Sequence, residues 1–252
     1  MDLQLTGKTA LVTGASTPGI GRAIAAELAR EGVTVAIAAR RGELLRKVAQ
    51  EIKAAGHIEP VVLEADLYDP ATPERLAAAA CGRLGRVDIL VNAAGGSRPI
   101  PFDAPVQTWE EGMMVNFFRL RELTHALLPA MIQSKWGRII NITGSSEPRN
   151  VNVANAAKAA VHAWAKGLSR DMGKYGITIN SIQPGRIKSE QMTRQHPTEE
   201  SRREFSQREI PAGRFGEPGE LADLAVFLAS PRAGYITGTV IPVDGGMKRF
   251  AF

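Results

Sequence analysis

The sequence predicts an α/β fold in which a doubly wound, seven-stranded parallel sheet carries helices on both faces. Short apolar runs rich in β-branched residues alternate with longer stretches of helical period along all 252 residues. Continuous apolar strands joined by helices are typical of a parallel sheet covered on both sides, and right-handed crossovers favour double winding. No internal repeat or low-complexity linker interrupts the alternation, so we expect a single domain over residues 1–252.

Seven apolar runs predict the strands, and six stretches of helical period predict the helices between them. The strands are expected at 8–13, 33–39, 61–65, 87–92, 137–143, 177–183 and 239–243. The helices are expected near 20–31, 42–55, 73–83, 108–134, 153–174 and 219–229. The charged segment 186–216 breaks this alternation after the sixth strand. We therefore expect it to lie over the strand ends as a mobile cover for the substrate.

Composition narrows the class of protein. An apolar fraction of 44% and a charged fraction of 23% are ordinary for a soluble globular chain. The net charge is +5, but the basic residues are scattered among acidic ones along the chain. This distribution predicts a mixed solvated surface and no nucleic-acid partner. The single cysteine, Cys81, excludes an internal disulfide and suits a reducing compartment. We expect no metal site, no membrane span and no secretion signal, and hence a cytoplasmic protein.

The first predicted strand ends in a glycine-rich turn that leads at once into a helix. The turn 13–21 reads TGASTPGIG and carries Gly14, Gly19 and Gly21. Glycines let the backbone approach a pyrophosphate at a helix N-terminus, where free N–H groups and the helix dipole favour anions. Between a first strand and a first helix, this pattern indicates a dinucleotide-binding Rossmann fold. The alternative is a turn that is merely tight.

Motifs along the whole chain resemble those of the short-chain dehydrogenase/reductase family, most closely the 3-oxoacyl-carrier-protein reductase type. The turn resembles the family's TGxxxGxG, and the other matching motifs are NAAG at 92–95, the helical Asn116, PG at 184–185, RFGEP at 214–218, and YITG with VDGG at 235–246. The turn departs from the pattern in one respect. Four residues separate Gly14 from Gly19 where the family usually has three, and Pro18 offers no N–H.

The end of the second predicted strand carries the residues that choose between cofactors. An acidic residue there would bind the ribose hydroxyls of NAD and repel a 2′-phosphate. This sequence has Arg40 and Arg41 instead, and a guanidinium binds phosphate through paired donors. We therefore expect NADP(H) rather than NAD(H). The alternative is that both arginines are surface cations that begin a helix.

The resemblance implies a cofactor site built from the glycine turn and the loops after the strands. Asp66 and Leu67 resemble the family's adenine-contacting pair, although Asp66 is nearly as well explained as the cap of a buried loop. The expected cofactor residues are Gly14, Ser16, Gly19, Ile20, Gly21, Arg40, Arg41, Asp66, Leu67, Asn92, Ala93, Gly95, Lys158, Pro184, Gly185 and Ile187.

One residue of the family's catalytic set is missing. The resemblance implies a tyrosine and a lysine four residues apart on one helix, a serine beyond the fifth strand, and the helical asparagine. Lys158 matches the lysine, but Ala154 occupies the tyrosine position. A methyl group cannot pass a proton to a carbonyl oxygen, which is the task of that tyrosine. None of the three tyrosines is well placed to replace it: Tyr68, Tyr175 and Tyr235.

The serine is displaced too. Aligned without a gap, the family serine falls on Gly144, so we expect Ser145 to supply the hydroxyl, with Thr143 and Ser146 as alternatives. Any of these hydroxyls is equally well explained as a cap of loop backbone. The predicted catalytic set is Asn116, Ser145 and Lys158, in which Lys158 bonds the nicotinamide ribose unless it is only a solvated helix cation.

One other side chain, Glu147, is a candidate for the missing acid. Glu147 would serve if burial raised its pKa, but a surface ion pair with Arg149 is the simpler explanation. His162 lies on the same predicted helix as Lys158. A structural role is the simpler explanation for this histidine as well.

Three functions are compatible with these residues. The first is an NADP(H)-dependent oxidoreductase acting on a carbonyl, hydroxyl or imine group of a small molecule without the tyrosine acid. The second is a cofactor-binding pseudoenzyme or regulatory subunit, and the third is a non-redox lyase or hydrolase on the same scaffold. The resemblance implies a homotetramer or homodimer built through the helices at 108–134 and 153–174 and through the carboxy terminus. A hetero-oligomer containing an active relative is the alternative.

Overall fold

A computed structural model of the protein describes residues 2–96, 99–144, 147–148 and 150–250. In these ranges seven strands form one sheet: β1 (Thr9–Thr13), β2 (Thr34–Ala39), β3 (Val61–Glu64), β4 (Ile89–Asn92), β5 (Gly137–Ile142), β6 (Ile177–Pro184) and β7 (Val240–Val243). The helices are α1 (Ile20–Arg30), α2 (Gly42–Ala54), α3 (Thr72–Leu84), α4 (Val106–Met113), α5 (Arg119–Ser134), α6 (Val153–Met172), α7 (Glu190–Gln195), α8 (Glu199–Glu209) and α9 (Pro218–Ala229).

The strand order across the sheet is β3-β2-β1-β4-β5-β6-β7, and all neighbouring strands are parallel. The chain winds outward from β1 to β3, then crosses to β4 on the other side of β1. The connections that follow β1 and β4 therefore diverge and leave a crevice outside the carboxyl ends of the strands. The predicted doubly wound, seven-stranded parallel sheet is confirmed.

Helices cover both faces of the sheet through two apolar layers. On one face α1, α2 and α9 pack against the strands, with Leu28 and Leu221 fully buried among them. On the other face α3, α5 and α6 do the same through Leu76, Leu123 and Ala165. No helix in the described ranges combines the length and the apolar character that crossing a membrane requires.

The predicted helix at 108–134 is interrupted by a π-helical turn at Met114–Phe118. Within it the Asn116 side-chain Nδ2 donates to the Gly112 carbonyl at 2.9 Å, the acceptor that the backbone N–H of residue 116 would use in an α-helix. The Arg119 N–H bonds five residues back, to the Met114 carbonyl. Hydrophobic period gives no sign of this turn, because the period of the helix continues on both sides of it.

The segment 186–216, expected to be a substrate cover, contains α7 and α8 and has a small apolar core of its own. Phe205 and Phe215 meet edge to face with ring centroids 5.9 Å apart. The His196 ring lies 4.9 Å from that of Phe205. Packing of this kind gives the segment a defined shape, and its role as a cover stays a prediction.

Candidate cofactor and active site

A cavity of about 460 Å³ lies at the carboxyl ends of the strands, at the crevice where the winding direction changes. Every predicted cofactor residue except Asn92 lines it. The walls come from the glycine turn, the ends of β2 and β3, the loop after β4, α6, the loop after β6 and α7. The fold therefore brings together residues that lie far apart in the sequence.

The glycine turn at one end of this cavity needs its glycines for close packing. Gly14 has φ 73°, and a Cβ atom there would lie 2.7 Å from the Ala93 carbonyl oxygen. A Cβ atom at Gly21 would lie 2.6 Å from the carbonyl oxygen of Gly14. Helix α1 then begins at Ile20 without a side-chain cap on Gly19, so its first N–H groups remain suited to an anion. The longer spacing found in the sequence still gives a compact strand–turn–helix unit.

Thr13 joins this turn to the loop after β4. Its hydroxyl oxygen accepts hydrogen bonds from the backbone N–H groups of Ala93 and Ala94, both at 3.1 Å. The same hydroxyl donates to the Val91 carbonyl at 3.3 Å. One buried side chain thus fixes two walls of the cavity relative to each other.

Arg40 and Arg41 at the end of β2 have different surroundings. The guanidinium carbon of Arg40 lies 5.3 Å from the centre of the Tyr68 ring. Arg41 Nη2 instead lies 3.1 Å from Glu190 Oε2, and Glu190 is also paired with Arg194. Hydrogen bonds from Arg41 and Arg194 lower the pKa of the Glu190 carboxyl below its ordinary value. Sequence reasoning missed Glu190, because nothing in a local pattern marks a partner 149 residues away.

The Asn92 side chain is turned away from the cavity. Its Nδ2 donates to Asn141 Oδ1 at 2.9 Å and to Thr124 Oγ1 at 3.2 Å, within the buried interior. These bonds tie β4 to β5 and α5. Asn92 was predicted to bind the cofactor, but its side chain bonds to the protein interior and does not line the cavity.

Asn116 fastens the π-helical turn to the loop after β4. Its Oδ1 accepts the Gly96 N–H at 3.2 Å, while its Nδ2 holds the Gly112 carbonyl. A Cβ atom at Gly95 would lie 2.8 Å from that same Oδ1. Asn116 is buried directly behind the cavity wall and does not line it, and its catalytic role stays a prediction.

The first two turns of α6 carry the lysine and the alanine in question. Asn152 caps the helix by accepting the Ala154 N–H at 3.0 Å, and the Ala154 side chain is buried. Lys158 follows one turn later and lines the cavity. A Cβ atom at Gly144 would lie 3.1 Å from Lys158 Cδ and 3.7 Å from its Nζ. The lysine stem thus packs beside the position onto which the family's serine aligns.

Burial lowers the pKa of Lys158 to about 8, from an ordinary value of 10.5. Loss of hydration disfavours the ammonium form, and within the described ranges no carboxylate forms an ion pair with Lys158 to compensate. An ammonium with this pKa still carries its proton at pH 7 and gives it up readily. Lys158 is therefore an ionisable group at the cavity wall whose pKa is shifted toward neutral pH.

Of the three candidate hydroxyls, Ser145 and Ser146 lie outside the described residues. Thr143 is buried and lines the cavity. Its hydroxyl donates to the Ile182 carbonyl at 3.1 Å, so it accepts from His162 Nε2 at 2.8 Å. Burial and the nearby Lys158 and Lys248 lower the pKa of His162. A neutral imidazole with its proton on Nε2 satisfies this arrangement.

Glu147 contacts the carboxy-terminal segment. Its Oε1 accepts the backbone N–H of Arg249 at 2.9 Å and that of Phe250 at 3.4 Å. The alternative partner considered from the sequence, Arg149, lies outside the described residues.

In the parts of the chain that the structure covers, no group of three or more His, Cys, Asp or Glu side chains is arranged to hold a metal ion.

Comparison with known proteins gives full-length matches. Residues 14–248 match the family model described as enoyl-(acyl carrier protein) reductase. The 3-oxoacyl-(acyl-carrier-protein) reductase FabG of Aquifex aeolicus is 36% identical over 251 residues, covering 98% of this chain and 100% of that protein.

Two solved structures agree closely with the fold. The Pseudomonas aeruginosa RhlG/NADP active-site complex is 36% identical, with a TM-score of 0.89 over 98% of both chains. A 7α-hydroxysteroid dehydrogenase complexed with NADH and 7-oxo glycochenodeoxycholic acid is 32% identical, with a TM-score of 0.91 over 100% of this chain and 98% of that one. The sheet order, the glycine turn and these full-length matches agree. The chain therefore belongs to the short-chain dehydrogenase/reductase family.

Proposed function

We propose that the protein is an NADP(H)-dependent oxidoreductase that acts on a carbonyl, hydroxyl or imine group of a small molecule, at a site without the tyrosine acid. The observation that carries this proposal is the cavity itself, which unites the glycine turn, the arginines at the end of β2 and Lys158. The solved relatives support a nicotinamide cofactor, since one is described with NADP and another with NADH. The preference for NADP(H) rests on Arg40 and Arg41.

The residues present fit such a cofactor. The close packing at Gly14 and Gly21 leaves the N-terminus of α1 facing the cavity, where a pyrophosphate would be held. The guanidinium of Arg40 would contact the 2′-phosphate, and Pro184 and Gly185 would lie beside the nicotinamide. When bound, the nicotinamide supplies or accepts the two electrons of the reaction.

Lys158 is the residue of this chain that we propose for moving the proton. One N–H of its ammonium would donate a hydrogen bond to the cofactor ribose. A pKa of about 8 would allow a second proton of the same group to pass to a nearby substrate atom, which leaves a neutral amine. Ser145 would position that atom, and Asn116 would act indirectly by holding the loop after β4 that lines the cavity. General acid catalysis contributes about 10²–10⁴-fold. Ketone reduction without the tyrosine is therefore expected to be slow, whereas a protonated imine needs no proton at that step.

The test is to mix purified protein with NADPH and a panel of ketones and cyclic imines, following reduced-nicotinamide absorbance and substrate loss together. We expect cofactor oxidation with at least one substrate, faster with imines than with ketones. Tight NADPH binding without any consumption would instead indicate a pseudoenzyme or regulatory subunit. Loss of substrate without cofactor oxidation would indicate a lyase or hydrolase.

The variant Ala154→Tyr is the companion experiment. If the remainder of the site matches the family, the new phenol lies one helical turn from Lys158 and ketone reduction rises by about 10²-fold or more. Ala154→Phe is the matched control, because it adds the same ring without the hydroxyl. Equal rates for both variants would show that the pocket serves a different chemistry.

We propose a homodimer or homotetramer as the assembly, formed through α5 and α6. Sedimentation equilibrium of the purified chain, alone and mixed with a catalytically active relative, distinguishes these forms from a monomer and from a hetero-oligomer.

A further inference from the structure

Helix α7 packs onto both parts of the site that are suited to phosphate. The Glu190 N–H donates to the Pro18 carbonyl in the glycine turn at 3.2 Å. A Cβ atom at Gly19 would lie 3.3 Å from Ser189 Cβ, so the start of α7 touches that turn. The Glu190 carboxylate reaches Arg41 at the end of β2. One short helix of the 186–216 segment thus bridges the two cofactor-binding elements.

The two arginines beside this contact are not equivalent. Glu190 is paired with Arg41 on one side and with Arg194 on the other, so one carboxylate is shared by two guanidinium groups. Arg40 faces the Tyr68 ring, and within the described ranges it has no ion pair. A phosphate is therefore free to use Arg40, whereas at Arg41 it meets a negative charge already in place.

We infer that Glu190 is a specificity-determining residue: its carboxylate competes with the cofactor 2′-phosphate for Arg41 and thereby links that phosphate to the position of α7. This inference rests on the proposed use of NADP(H). Glu190 contacts Arg41 through Nη2, and two anions held by one guanidinium repel each other. A phosphate that binds Arg41 therefore weakens this pair and favours the form in which Glu190 is displaced. The start of α7 then loses its ion pair with Arg41, which is one of its contacts with the cofactor-binding elements. A cofactor without the 2′-phosphate leaves the pair intact.

The coupling is reciprocal. If the Arg41–Glu190 pair lowers the affinity for the 2′-phosphate by some factor, the bound phosphate lowers the equilibrium constant of the pair by the same factor. Both side chains are partly exposed, with side-chain exposures of 51% and 33%. Exposed ion pairs contribute little, so we expect an effect of about two- to fivefold in affinity. That range is readily measured.

The test compares two probes that differ only in the 2′-phosphate: adenosine 2′,5′-bisphosphate and adenosine 5′-monophosphate. Isothermal titration calorimetry is run on the wild-type protein, on Glu190→Gln, and on Glu204→Gln as a control that removes an exposed carboxylate from α8 in the same segment. We expect Glu190→Gln to tighten the bisphosphate about two- to fivefold and to leave the monophosphate unchanged. We expect Glu204→Gln to resemble the wild type.

Hydrogen exchange of the α7 amides provides a second readout that needs no turnover. The bisphosphate should speed exchange in residues 190–195 of the wild type, and the monophosphate should not. In Glu190→Gln exchange should be fast with either probe. Glu190→Ala serves as a second variant should the glutamine form fold poorly.

The outcomes separate this inference from the proposed function. If the wild type binds both probes equally, the proposal of NADP(H) use fails. If the bisphosphate binds more tightly but Glu190→Gln behaves like Glu204→Gln, the cofactor proposal stands and the role of Glu190 is overturned. Unchanged α7 exchange with the bisphosphate overturns the link to the helix.

Discussion

We predict that Lys158→Met stabilises the protein at pH 7 and that this gain disappears as the pH rises toward 10. Below pH 8 the folded and unfolded chains both carry the ammonium, so the folded state bears the full cost of its poor hydration. Between about 8 and 10.5 the folded state releases the proton while the unfolded state keeps it. Because the unfolded state then binds more protons, wild-type stability rises with pH across this window.

The size of the effect follows from the pKa difference. The change from 10.5 to about 8 is 2.5 units, which corresponds to at most about 3.4 kcal/mol at ~1.36 kcal/mol per unit. Lys158 also borders the open cavity, where water hydrates part of the ammonium. Allowing for that screening, we expect Lys158→Met to gain about 1–2 kcal/mol at pH 7. Methionine keeps an apolar stem beside Gly144, so little packing is lost.

The assay is guanidinium chloride unfolding of the wild type and of Lys158→Met at several pH values between 7 and 10. Lys166→Met, on an exposed part of the same helix, is the matched control and should change stability by less than about 0.5 kcal/mol throughout. A wild type more stable than Lys158→Met at pH 7, or a difference between them that does not vary with pH, would refute the reasoning.

Three further measurements test other parts of the structure. Gly185→Ala places a Cβ atom 2.5 Å from a backbone Cα atom just beyond β7, so it should cost about 1–3 kcal/mol in chemical unfolding; Gly167→Ala has open space and should be neutral or stabilising. The guanidinium of Arg138 is buried and donates to three backbone carbonyls. Arg138→Met should therefore lower the free energy of unfolding by about 2–4 kcal/mol, and Arg138→Lys, which keeps a donor, should lower it by less. Burial lowers the pKa of His162, and the charge of Lys158 lowers it further. The His162 ring resonance in NMR should therefore titrate at higher pH in Lys158→Met, and an unmoved titration would contradict this contribution of Lys158.

The sheet was predictable because its central strands β1, β4, β5 and β6 are buried on both faces. Each of β1, β4 and β5 contains an uninterrupted apolar stretch, at 10–12, 89–91 and 139–140, and a turn or helix signal bounds each strand. The glycine turn was predictable for a related reason: close backbone approach at Gly14 and Gly21 excludes other residues. Local chemistry decides these features, so a local pattern reveals them.

The remaining features depend on contacts between distant segments. At the break at Met114–Phe118 the Asn116 side chain bonds the Gly112 carbonyl, and hydrophobic period does not encode that bond. Asn92 faces Asn141 and Thr124 because of its place in the folded sheet. The pairing of Arg41 with Glu190 joins β2 to a segment whose path the sequence left open. Side-chain partners of this kind become visible only when the chain is folded.

The contact between Gly144 and Lys158 has a consequence for any attempt to rebuild the family's usual catalytic set. A serine at residue 144 must share space with the lysine stem, so Gly144→Ser and Ala154→Tyr are not independent changes. In Ala154→Tyr alone the phenol meets Lys158 where it lies now, whereas in the double variant the serine has shifted the lysine. The effect of the phenol therefore differs between the two backgrounds. Such mutual dependence makes single-step reversion a poor guide to what the double variant achieves.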